Sequence, residues 1–169
     1  MTPETYLVAD TLPGKLWILP CPGAEGLESA VRHFGDLGFD TLVSLLPDDE
    51  MADLGVLDEP RHCMDHEIDF ISYPIVDFGL PDAAAFAALI HRISTLLRAG
   101  HGVGVHCRAG IGRSGMVTAG VLMALGQSSA DAIATVSRAR GVSIPDTVEQ
   151  AGFIADLAAK LKSGSAASI

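Results

Sequence analysis

One stretch limits the fold more than any other: residues 105–115, Val-His-Cys-Arg-Ala-Gly-Ile-Gly-Arg-Ser-Gly. The apolar run 102–106 before it reads as a strand, and residues 114–125 after it read as a helix. Only the loop 107–113 separates them. Gly110 and Gly112 let that loop take conformations closed to other residues. A strand, a tight glycine loop and a helix in this order belong to an α/β architecture. Such a loop can turn its backbone N–H groups inward, and the helix behind it adds its free N–H groups and the positive end of its dipole. The product is an anion site matched to a phosphate.

The rest of the chain agrees with that frame. Short apolar runs at 15–19, 41–46 and 70–75 read as further strands. Helical patterns occupy 26–37, 82–99, 129–140 and 146–162, with Asp82 and Ser128 as N-caps. The start Asp146-Thr-Val-Glu149 reads as an acidic variant of the capping box. Strands alternate with helices and three helices end the chain. This predicts an α/β single domain, a small central mixed sheet with helices on both faces. The domain is expected over 1–162, followed by a flexible tail, 163–169.

Within the loop, Arg113 offers a planar fork suited to two oxygens of a phosphoryl group at once. Cys107 sits beneath the same donors, which stabilise negative charge on its sulfur and favour the nucleophilic thiolate. Ser114 is placed to hydrogen-bond that sulfur and ease its later departure. Arg108, Ala109, Gly110, Ile111 and Gly112 line the loop and are expected to bind the substrate phosphate.

His106-Cys107-x5-Arg113-Ser114, filled by Ala109-Gly110-x-Gly112, resembles the signature of the protein tyrosine phosphatase superfamily. It looks closest to the small dual-specificity and atypical branch. The resemblance extends to the strand order, to Asp77 and to a glutamine near the end, Gln150. It implies a cysteine-dependent phosphatase acting on phosphotyrosine, with phosphoserine and phosphothreonine as further candidates, through a phosphocysteine intermediate. It also implies that Asp77 is the general acid and that Gln150 helps orient the hydrolytic water. Asp77 lies in a loop with Gly79 and Pro81, able to swing over a pocket. The rival acid is Asp82. His106 is expected to support the loop without transferring a proton.

No metal or organic cofactor is expected. His62-Cys63-x-x-His66 offers a few metal-binding side chains with no second cluster, whereas zinc sites usually take four ligands. The acidic run 47–67 reads as a solvated face. Arg138 and Arg140 could draw an anionic substrate or neutralise the end of their own helix.

Net charge is -10, which argues against nucleic acid or an anionic membrane as a general partner. The expected partner is a phosphorylated protein or peptide. Three cysteines without a disulfide spacing suggest a reducing, cytoplasmic setting. The start of the chain shows no basic region followed by an apolar stretch, so no secretory signal is expected. Two rival functions remain: a lipid or small-molecule phosphate monoesterase on the same fold, and a non-catalytic phospho-binding module. Phosphoinositide phosphatases of the superfamily this chain resembles often carry lysines in this loop, and the resemblance therefore implies that their absence weighs against a lipid.

Overall fold

The computed structural model describes residues 3–9 and 13–167. Its sheet has five strands: β1 (Tyr6–Ala9), β2 (Leu16–Leu19), β3 (Thr41–Ser44), β4 (Asp69–Ser72) and β5 (Val103–His106). Their order is β1-β2-β5-β3-β4. All neighbours are parallel except β1, which pairs antiparallel with β2, so the sheet is mixed. β5 is central, with His106 beside Leu19 on one side and Ser44 on the other. Every residue of β2, β3 and β5 is buried. Helices covering both faces produce that pattern.

Among the described residues, seven helices do the covering: α1 (Leu27–Leu37), α2 (Asp48–Leu54), α3 (Glu59–Asp65), α4 (Ala83–Arg98), α5 (Arg113–Ala124), α6 (Ser129–Arg140) and α7 (Val148–Ala167). One face of the sheet packs Trp17 and Leu42 against Phe34, Phe39, Met51 and Cys63. The other packs Ile18, Val43 and Val105 against Phe86, Ile90, Val117, Val136 and Ile154. Gly104 is required by this packing, because a Cβ there would stand 2.1 Å from the Phe39 ring. α5 is buried from Arg113 to Met123, a helix apolar enough to sit inside the domain. No helix of the described residues is long and apolar enough to cross a membrane.

Local differences from the sequence reading have simple causes. β1 was not anticipated, since four residues with one buried position give too short an alternation. Asp82 and Ser128 do cap their helices, accepting from Ala85 N at 2.9 Å and Asp131 N at 3.1 Å. The capping box of α7 is Thr147-x-x-Gln150, one residue later than expected. Thr147 Oγ1 accepts from Gln150 N, and Gln150 Oε1 accepts from Thr147 N, at 3.1 and 3.2 Å. Both hydroxyl and amide satisfy N–H groups that the helix cannot. α7 continues through Ala167, past the boundary expected at Lys162. Residues 168–169 lie outside the described residues.

Candidate active site

The site begins where β5 ends. Cys107 leaves the central strand, residues 107–112 form the loop, and α5 starts at Arg113. Gly110 has φ of 71°, and a Cβ there would strike the backbone of Leu19 at 2.5 Å. Glycine therefore lets the loop fold tightly over the end of β2. Arg140, reaching across from α6, donates from Nε to Gly110 O at 3.0 Å and from its terminal nitrogen to Ala109 O at 3.1 Å. These bonds hold two loop carbonyls by their oxygens. Among the described residues, no acceptor of the chain takes the backbone N–H groups of residues 108–112, which leaves them for an anion.

Cys107 Sγ lies at the base, buried, 3.1 Å from Ser114 Oγ. The expected pairing of sulfur and hydroxyl is present. Arg113 is only 2% exposed. It donates to Glu50 Oε1 at 2.8 Å and Oε2 at 2.9 Å, and to Ile75 O at 2.8 Å. Its second terminal nitrogen also stands 3.2 Å from Asp77 Oδ1. The Arg113 hydrogen bonds draw Glu50 below the usual carboxylate range, against an opposing push from burial. With both terminal nitrogens tied to Glu50, the guanidinium plane is fixed before any phosphate arrives. Arg108, half exposed, places Nε 3.4 Å from Glu50 Oε2.

The loop between β4 and α4 brings Asp77 to this cluster, where it is 45% exposed. Phe78 beside it adopts φ of 59°, an unusual conformation for a bulky residue. Asp82 caps α4 instead of facing the loop cluster. Gln150 lies against the loop: a Cβ on Gly112 would stand 3.0 Å from Gln150 Oε1 and 2.5 Å from Asp146 Oδ2. Its amide oxygen is committed to capping α7, accepting also from Asp146 N at 3.0 Å.

Behind the loop, His106 is fully buried. Its Nε2 donates to Glu59 Oε1 at 2.7 Å and its Nδ1 donates to Cys107 O at 3.1 Å. Burial pushes the imidazole pKa down, but the charge and hydrogen bond of Glu59 outweigh it and raise the value. The ring spans the nucleophile's carbonyl and the Glu59 carboxylate. Glu59 Oε2 is buried with no hydrogen-bond partner.

The structure thus gathers Cys107, residues 108–112, Arg113, Ser114 and Asp77 in one place, with Gln150 alongside. It also corrects the reading of the acidic run 47–67 as a solvated face. Glu50 and Glu59 turn inward and engage Arg113 and His106. Glu59 and Cys63, four residues apart on α3, are both buried, a spacing that was available to find Glu59. Arg140 serves the loop, a role its position near the end of α6 did not disclose. The His62-Cys63-His66 pattern does not converge: Cys63 is buried and His66 faces Glu28 at 3.7 Å.

Residues 48–162 match the family model of the dual specificity phosphatase catalytic domain. The chain belongs to that family. It is 31% identical over 91 residues to human cyclin-dependent kinase inhibitor 3. That match covers 53% of the chain and 43% of the relative, so less than half of the curated relative's length is spanned. The fold is similar to kinase associated phosphatase with its catalytic cysteine replaced by serine. The TM-score is 0.84 at 21% identity, covering 96% of this chain and 97% of that one. PTPMT1 in complex with PI(5)P has the same fold, with a TM-score of 0.73 at 18% identity, covering 89% and 94% of the two chains.

Proposed function

We propose that this dual-specificity-family domain is a protein phosphatase that hydrolyses phosphotyrosine, and phosphoserine or phosphothreonine as further substrates, through a phosphocysteine intermediate. One observation carries the reading: the Cys107 sulfur, 3.1 Å from a hydroxyl, lies under a loop whose arginine is already oriented by a carboxylate. In this reading a phosphate dianion takes the loop N–H groups and the Nε edge of Arg113, Glu50 engaging the two terminal nitrogens.

The thiolate of Cys107 attacks phosphorus while the bond to the leaving oxygen breaks. Asp77 gives its proton to that oxygen, releasing the alcohol or phenol. The loop N–H groups and Arg113 hold the three equatorial oxygens and stabilise their charge in the transition state. Water then attacks the phosphocysteine, Asp77 takes a proton from it, and the sulfur leaves with a hydrogen bond from Ser114. The sum is phosphate ester plus water giving alcohol plus phosphate. Gln150 is the proposed aid to the water, through the part of its amide not used in capping.

The test is turnover of phosphotyrosyl, phosphoseryl, phosphothreonyl and phosphoinositide substrates by the purified chain and its Cys107→Ser variant. Phosphopeptide turnover with an acid-trapped phosphoenzyme, both lost in Cys107→Ser, is the expected result. Retained turnover in that variant would remove Cys107 as nucleophile. Turnover confined to phosphoinositides would replace the protein substrate with a lipid. Binding without any turnover would reduce the domain to a phosphate-binding module.

A further inference from the structure

We propose that Cys21, Glu59 and His106 form a binding site for a zinc-class divalent cation on the back of the catalytic loop. The first support is geometric. One ligand atom from each residue lies within 4.8 Å of the other two, the group that the described residues gather. Three points no farther apart than 4.8 Å fit in a circle of radius about 2.8 Å. Zinc bonds are ~2.0–2.3 Å long, so contraction by a few tenths of an ångström to about 0.8 Å would close the site.

The second support is the orphaned oxygen. Glu59 is wholly buried, and Oε2 has no donor although Oε1 has one. A buried acceptor without a partner is costly, and a cation is the strongest partner it could take. The third is the orientation of His106. Its Nδ1–H donates to the carbonyl of Cys107, which directs Nε2 at the cluster, where the ion would replace the Nε2 proton now shared with Glu59 Oε1 and release it to solvent. Metal-binding histidines commonly have their second ring nitrogen anchored in this way.

The donor set selects the metal. Thiolate, imidazole and carboxylate suit zinc, whereas magnesium and calcium want oxygen ligands. Carboxylate and thiolate match the two charges of the ion, so the occupied cluster is neutral. A cation between the Cys21 sulfur and the Glu59 carboxylate would be attracted by both. Cys21 is partly exposed, which gives the ion a path and a water to complete four ligands. The ion would join three elements immediately behind the nucleophile. Cys21 follows β2 and hydrogen-bonds Arg108 O at 3.0 Å, Glu59 begins α3, and His106 ends β5.

The experiment uses the full chain with Cys107→Ser, so that the nucleophile cannot bind metal, stripped with a chelator and titrated with cobalt(II). One equivalent should give a near-ultraviolet sulfur-to-cobalt charge-transfer band that zinc displaces. Adding Cys21→Ser should abolish the band and weaken cobalt binding at least about 100-fold; Glu59→Gln should weaken it at least about 10-fold. Cys21 is partly exposed, so its serine variant keeps the test intact even if Glu59→Gln does not fold. Absence of the band in the Cys107→Ser chain would overturn the proposal. So would a band that survives Cys21→Ser, including one that Cys63→Ser removes instead.

Discussion

Replacing Glu50 with alanine strips Arg113 of two charge-assisted hydrogen bonds at 2.8 and 2.9 Å while the guanidinium stays buried. Removing one partner of a buried ion pair costs about 3–5 kcal/mol. Glu50 is 14% exposed, and Ile75 O and Asp77 still face Arg113. Both moderate the loss, so the lower end, about 3 kcal/mol, is expected. For a domain of this size that lowers Tm by roughly 6–12 °C. The guanidinium would also lose its fixed plane, and a misplacement near 1 Å reduces kcat/KM by about 100-fold. The pH dependence has a definite sign. The folded-state pKa of Glu50 is lowered, so its stabilisation is complete above the usual carboxylate range and is lost as pH falls through the folded value. The stability gap between wild type and Glu50→Ala should therefore narrow in acid. Urea titrations from neutral to acid pH and steady-state kinetics on an aryl phosphate measure both effects. A variant within about threefold of wild-type kcat/KM, with an unchanged urea midpoint, would show that Glu50 does not hold Arg113 in place.

Other outcomes follow from the same geometry. Asp77→Asn should depress kcat most for substrates with poor leaving groups, whereas Asp82→Ala should cost about 1 kcal/mol in stability and leave chemistry alone; steady-state kinetics that reverse this pattern would reassign the acid. Burial, then the charge of Glu59, pushes the thiols of Cys21 and Cys63 up to about 12, so both stay protonated at neutral pH. Brief iodoacetate treatment of the native chain should label Cys107 first by peptide mapping, and phosphate should protect it; earlier labelling of Cys21 or Cys63 would contradict the environments described. Arg113→Lys keeps the charge but loses the fork, and aryl phosphate turnover should fall to a trace. Near-normal kcat would remove Arg113 from the phosphate clamp.

The strand-loop-helix at 105–115 was legible because its information is local: glycines, cysteine and arginine lie within one short segment. Asp82 and Ser128 were legible as caps for the same reason. Glu50 was not, since its partner lies 63 residues away and an acidic run is ordinarily solvated. Glu59 could have been found from its four-residue spacing to the apolar Cys63, but the surrounding carboxylates masked it. Arg140 looked like a helix-end cation because nothing local places α6 beside the loop. Gln150 was found for its likeness to a family position, while its hydrogen bonds show a capping duty that Thr147 shares.

The Arg140 side chain that grips the loop carbonyls also lies 4.3 Å from the ring centroid of Tyr6. A cation over an aromatic face is held in place by it. The first strand, an edge strand by topology, is thereby the floor on which the loop's brace rests. Engineering of this chain inherits that linkage. An affinity handle or a deletion reaching Tyr6 is no neutral change, because it loosens Arg140 and, through it, the two carbonyls of Ala109 and Gly110.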